Sequence, residues 1–247
     1  VRERIAGVPY ILPPLARRIY DFVLERRPAE VLELGFAHGA SSCYIAAALE
    51  EAGAGHLTAV DLLPAMAWQQ PSIEELLART GLAPWVTVCR EATHYTWFLK
   101  KQIAARSRGG RCAPLYDFCF LDGAKHWTID GAAFFLVDKL LRPGGWLLFD
   151  DLQWTFGGKA AEGKTKTDGI ALREMGADEL AEPHVELIFR LLVMQHPDYA
   201  EFRITDHWWA WARKQPGGDR TLIVEETADY RRRLRAWREK HPETGGR

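Results

Sequence analysis

The chain has 247 residues, 47% of them hydrophobic and 26% charged, with 32 basic and 33 acidic side chains and a formal net charge of -1. So high an apolar share with so little net charge excludes a disordered chain, and no apolar run approaches the roughly 18 residues of a membrane span. The even charge balance argues against non-specific nucleic-acid binding, and the length suits a single domain.

Strand-like and helix-like stretches alternate, the pattern of a parallel sheet wrapped by helices. Pro13 and Pro14 open a helix to about Arg27, with Leu15, Ile19, Phe22 and Val23 on one face, and Pro28 stops it. Val31 to Leu34 reads as a first strand, Gly35 to Gly39 as a turn, and residues 40–52 as a helix. His56 to Val60 is a second strand ending at Asp61. Ser72 and Glu75 form a capping-box pattern for a helix through Thr80, ended by Gly81. Trp85 to Cys89 is a third strand, residues 93–105 a helix, then a loop rich in Arg and Gly.

Tyr116 to Leu121 is a fourth strand ending at Asp122, and residues 129–141 a helix stopped by Pro143-Gly144-Gly145. Trp146 to Phe149 is a fifth strand ending at Asp150 and Asp151. Residues 153–170, rich in Gly, Lys and Thr, read as a flap. Helices are expected at 170–182 and 183–195, an antiparallel strand pair at 200–205 and 208–214, and a charged helix over 225–240. A single domain over 1–247 accounts for all of this, with 1–28 as an N-terminal helical cap and 220–247 as a C-terminal helical tail. The polar, proline-interrupted start (Arg2, Glu3, Arg4, Pro9, Pro13) and four cysteines without metal spacing lead to the expectation of a cytoplasmic protein with reduced thiols.

The stretch from Val31 to Ser41 is a strand, a glycine turn and a helix start, a geometry that brings a ligand near helix N–H groups. Its GxxxG spacing matches a dinucleotide fingerprint poorly. Glu33, two residues before the first glycine, would repel a pyrophosphate and attract an ammonium group. S-adenosylmethionine (SAM) has such a group, a sulfonium and no phosphate, and Asp61 at the next strand end can accept hydrogen bonds from ribose hydroxyls.

With these residues the chain resembles the class I SAM-dependent methyltransferases over about residues 5–214. The resemblance implies an α/β Rossmann-like fold: a mostly parallel seven-stranded sheet in the order 3-2-1-4-5-7-6, its last strand antiparallel, with helices on both faces. It also implies that Glu33, Gly35, Gly39 and Ser41 hold the methionine part, Asp61 the ribose, and that Ala92, Thr93 and His94 border the adenine, with Asp122 closing the site. Ala37 is smaller than its counterpart in relatives, which widens the turn.

Asp122 ends the fourth strand, and Asp150 and Asp151 end the fifth; in a parallel sheet all three carboxylates reach one edge. Oxygen-only ligands suit a hard divalent ion such as Mg²⁺. This is similar to the metal-dependent O-methyltransferases of the catechol, caffeoyl-CoA and bacterial antibiotic or sugar types. Asp122 and Lys125 match the DxxK motif of the catechol and caffeoyl-CoA types, and Asp150-Asp151 stands where those carry Asp-Asn, an acidic pair of the kind the bacterial types often show. Asp122, Asp150 and Asp151 are thus the expected metal ligands. Lys125 is the first choice for general base, its pKa lowered by a nearby sulfonium and metal, with His126 as rival.

Trp127 and Trp154 are the expected substrate contacts, and the late aromatics also suit an oligomer contact. The expected activity is methyl transfer from SAM to a hydroxyl of a small molecule, a sugar or polyketide-like natural product, with neither nucleic acid nor membrane as partner. The alternatives are a metal-independent methyltransferase with an N- or RNA acceptor, a non-catalytic SAM-binding module and, weakest, a nicotinamide oxidoreductase.

Overall fold

Apolar runs of five to seven residues, separated by helices with one apolar stripe, can bury themselves only as a sheet covered on both faces. The computed structural model, which describes residues 1–161 and 175–240, has that arrangement. Its strands are β1 (Glu30–Leu34), β2 (His56–Leu62), β3 (Val86–Glu91), β4 (Ser107–Arg108), β5 (Arg111–Cys112), β6 (Tyr116–Leu121), β7 (Leu141–Phe149), β8 (Tyr199–Thr205), β9 (Trp209–Lys214) and β10 (Ile223–Glu225). Its helices are α1 (Pro13–Arg26), α2 (Ala40–Ala52), α3 (Ile73–Thr80), α4 (Tyr95–Arg106), α5 (Trp127–Leu140), α6 (Phe156–Ala161), α7 (Ala177–Ala181), α8 (His184–Ile188) and α9 (Ala228–Lys240).

The main sheet runs β10-β8-β9-β7-β6-β1-β2-β3, with β9 antiparallel to both neighbours. This is the expected 3-2-1-4-5-7-6 order of a Rossmann-like methyltransferase fold with one correction: the sheet has eight strands. Ile223 to Glu225, expected within the C-terminal helical tail 220–247, instead pairs parallel with β8, and the helix begins at Ala228. Three residues are too few for a periodicity to show. The Arg- and Gly-rich loop is likewise a correction, closing into the β4–β5 hairpin. The expected helix at 183–195 is α8 continued by a π-helical turn, Phe189–Val193. The start of the expected helix at 170–182 and the centre of the flap lie outside the described residues; within them, the flap's first part is α6.

One sheet face is covered by α1, α2 and α3, with Ile19, Val23, Ile45 and Leu76 fully buried there; the other by α4, α5 and α8, with Leu99, Phe134 and Ile188. Ser72 and Glu75 form the reciprocal capping box, and Gly81 takes the left-handed conformation after α3. Among the described residues no helix is long and apolar enough to cross a membrane. All four cysteines are free, with Cys43 and Cys119 buried.

The register of the sheet places the site. Leu34 pairs with Val60 on one side and Leu121 on the other, and Leu121 pairs with Phe149. The next residue on each strand therefore falls in one row along the carboxyl edge: Asp61, Gly35, Asp122 and Asp150. Neighbouring strands are about 4.8 Å apart.

Candidate active site

The glycine turn is built by close packing. Gly35 has φ +87°, and a Cβ there would stand 2.2 Å from the Asp122 carbonyl oxygen; Gly39 has φ +90°, and a Cβ would meet Ile73 Cγ1 at 2.4 Å. Both positions need glycine because β6 and α3 press on the turn, as well as for any ligand's approach. Ala37, also left-handed at φ 48°, donates its N–H to Asp61 Oδ2 at 2.8 Å, and Phe36 N–H does so at 3.2 Å. Asp61 thus anchors the turn, and burial raises its carboxyl above the usual range. The sequence reading missed Gln69, buried at 1% exposure, whose Nε2 donates to Asp61 Oδ2 at 3.1 Å and whose Oε1 has no partner among the described residues. Nothing in the sequence around Gln69 marks it; only the return of the chain over the turn does.

Glu33 lies fully buried beneath the turn, accepting hydrogen bonds from Ser41 Oγ at 2.5 Å and from Ser42 Oγ. Desolvation pushes its carboxyl up to about 8, against the pull of the two serine hydroxyls. In the ligand-free chain it is therefore largely protonated at neutral pH. Ala92 and Thr93 are exposed just past β3, and His94 stands at the N-cap position of α4, its buried Nδ1 without a hydrogen-bond partner among the described residues.

The acidic cluster follows along the same row. Lys125, held at φ 60°, donates from Nζ to Asp122 Oδ1 at 2.7 Å and meets Asp151 Oδ2 at 2.8 Å. Asp150, 6% exposed, accepts Trp209 Nε1 at 2.7 Å and the Asp151 N–H at 2.7 Å. Trp209 is there because Ala210 pairs with Phe149 on the antiparallel strand, a neighbour no local pattern reveals.

The expected lowering of the Lys125 pKa belongs to a site holding a sulfonium and a metal; the chain's own groups act the other way, Asp122 and Asp151 pushing it well above its ordinary value and outweighing the desolvation that would lower it. Nor do the three aspartates already stand as a cage: among the described residues no group of three acidic, His or Cys side chains is arranged to hold a metal. The Lys125 ammonium lies between Asp122 and Asp151, and Asp150 turns to Trp209. The donor chemistry nonetheless fits a divalent cation. Asp122 and Asp151 meet the ammonium, and Asp122 is raised to about 6 and Asp150 well above its usual range by burial and by the neighbouring carboxylates. A cation entering there would find oxygen-only donors and would relieve that repulsion.

His126 is engaged as the cap of α5: its Nδ1 accepts the Thr128 N–H at 3.3 Å, and its ring meets Phe156 and His184 edge-on. Trp154 packs on Phe156 with ring centroids 4.6 Å apart, and Trp127 opens α5 at 38% exposure. A cavity of about 690 Å³ reaches Asp150 and Asp151 and passes the start of α2 at Ala40. Its described lining includes neither Trp127 nor Trp154. Trp208 and the N-terminal residues 5–13 form its wall instead.

Residues 32–152 match a family model described as a methyltransferase domain. No curated protein matches the sequence. Among solved structures the chain is similar to the O-methyltransferase TomG of Streptomyces achromogenes, involved in tomaymycin synthesis and solved in complex with SAM. Identity is 20% over 87% of this chain and 85% of that one, with a TM-score of 0.53. It is similar also to an O-methyltransferase from Bacillus cereus in complex with S-adenosylhomocysteine (SAH), at 18% identity over 85% and 86% of the two chains and a TM-score of 0.56. An SAH-bound methyltransferase from Podospora anserina matches at 14% identity over 87% and 85%, with a TM-score of 0.59. At these identities the likeness is one of fold.

Proposed function

From a chain that carries a methyltransferase domain at residues 32–152 on the class I methyltransferase fold, we propose a SAM-dependent O-methyltransferase acting on a hydroxyl of a ring-bearing small molecule, a sugar or polyketide-like natural product. The observation that supports it best is the shared sheet edge. The row Asp61, Gly35, Asp122, Asp150 joins a turn suited to an adenosyl donor to an acidic cluster, and a cavity opens onto that cluster.

In this reading Glu33, Gly35, Ala37, Gly39 and Ser41 receive the methionine part and Asp61 the ribose, with Gln69 beside it. Ala92, Thr93 and His94 border the adenine. Asp122, Asp150 and Asp151 would hold a divalent ion such as Mg²⁺. When bound, the ion supplies Lewis acidity that lowers the pKa of the acceptor hydroxyl.

The chain's own residues do the rest. The cavity wall orients the acceptor and excludes water, so that the oxygen lies in line with the methyl carbon and the sulfur. The new O–C bond forms as the C–S bond breaks, the sulfonium becomes a neutral thioether, and the hydroxyl proton passes to Lys125 or His126. Lys125 can take it only as the neutral amine, after its own proton has passed to solvent with its carboxylate partners engaged elsewhere. Nδ1 of His126 accepts the Thr128 N–H in the α5 cap.

A second reading, transfer without a metal, is favoured by the Lys125 ammonium lying between Asp122 and Asp151. The test is product mass after incubation with SAM and a panel of hydroxylated acceptors, with and without exhaustive chelation. A gain of one methyl that chelation abolishes supports the metal-assisted reading. The same gain in chelator supports the second. Failure to bind SAH overturns both.

A further inference from the structure

The N-terminal segment and α9 meet beside the acidic cluster. Arg2, residues 5–13 and Leu15, with Trp208 after β8 and Tyr230 and Arg233 of α9, line the cavity of about 690 Å³. The N-terminal segment is fastened over the glycine turn by rings: Tyr10 stacks on His38 at 5.5 Å, and both meet Trp68, at 5.8 and 5.4 Å. That contact keeps the cavity beside the donor side of the site. Its volume exceeds the ~300 Å³ lower bound of small-molecule sites.

The lining is mixed. It includes buried Asp150, the apolar and aromatic side chains of Ile5, Tyr44, Trp208 and Tyr230, and two exposed arginines, Arg2 and Arg233. Arg2 has no ion pair among the described residues, and its charge opposes the rise that burial gives the Tyr44 phenol. Arg233 meets Asp229 through Nε at 3.0 Å, leaving its terminal nitrogens without an ion pair among the described residues. The third carboxylate of the lining, Asp206, is already neutralised by Arg18 at 2.8 Å and by two hydrogen bonds from Thr227 at 2.6 and 3.0 Å. It leaves the two arginines uncancelled. Planar guanidinium groups with free forks select carboxylates.

We propose that this cavity is the acceptor site and that the acceptor is a hydroxylated ring compound carrying a carboxylate, its ring against Tyr44, Trp208 and Tyr230, its acid group at Arg2 and Arg233, and its hydroxyl toward Asp150 and Asp151. The inference rests on the methyl-transfer reading and adds the class of acceptor to it.

The test is equilibrium binding by calorimetry to the full chain loaded with SAH, using a panel of hydroxylated aromatic carboxylates and their matched carboxamides. The expected result is at least one carboxylate binding tenfold or more tighter than its amide, with the preference lost in R2A and R233A while SAH affinity is kept. Normal SAH binding with carboxylate and amide bound equally, or neither bound, would overturn the inference and leave the methyl-transfer reading standing. A preference unchanged in both variants would also overturn it. Absence of SAH binding in the parent chain would bring down the methyl-transfer reading, and the acceptor site with it.

Discussion

Glu33→Gln separates what the buried carboxyl does for the fold from what it does for the donor. The folded chain holds this carboxyl at about 8, against an ordinary value of 4.5. Between those values the folded state keeps a proton that the unfolded state has released, so stability falls as pH rises. At about 1.4 kcal/mol per pH unit, the loss is ~3 kcal/mol by pH 7 and ~5 kcal/mol by pH 8. Glutamine can accept from one of Ser41 and Ser42 and donate to the other, without a charge to desolvate.

Urea unfolding of the ligand-free chain from pH 5 to 8 should therefore show E33Q gaining on the parent by several kcal/mol across the range. Asp61, Asp122 and Asp150, also raised by burial, stay in both proteins, and taking the difference removes their share. SAH carries an ammonium group that favours ionised Glu33, so E33Q should bind it more weakly by ~1.5–3 kcal/mol, and binding to the parent at pH 7 should release a proton. A parent-minus-variant difference that is flat with pH would refute the protonated carboxyl. SAH affinity unchanged in E33Q would refute its part in holding the donor.

Trp209→Phe deprives buried Asp150 of its indole donor at 2.7 Å; a loss of ~1–3 kcal/mol is expected in urea unfolding, and a change under about 0.5 kcal/mol would show that the bond adds nothing. Ser72→Ala should cost ~1 kcal/mol by removing the capping box of α3, whose Ile73 packs against Gly39; thermal melts check it. Burial pushes the Cys43 thiol up to about 12 and raises Cys119 as well. Iodoacetamide at pH 8, followed by mass spectrometry, should therefore leave both unmodified until the chain unfolds, and labelling of either in the native protein would contradict the burial.

The local signals were the legible ones. Alternation, caps and breakers lie within a turn or two of the chain, so the helix at residues 40–52, the Ser72–Glu75 box, and the strands ending at Asp61, Asp122 and Asp150 could be read directly. Because parallel strands share a polarity, those strand ends had to reach one edge, which made most of the donor turn and the acidic cluster legible too.

What the sequence left open depends on residues far apart in the chain. Trp209 reaches Asp150 only through an antiparallel register, and Gln69 reaches Asp61 only through a returning loop. The cavity joins Arg2 to Arg233 across almost the whole chain. Likewise the charge of Lys125 in the chain by itself follows from the two carboxylates within 3 Å of it, Asp122 and Asp151. Element type and strand polarity are set by neighbours in sequence; protonation and the shape of the cavity are set by neighbours in space.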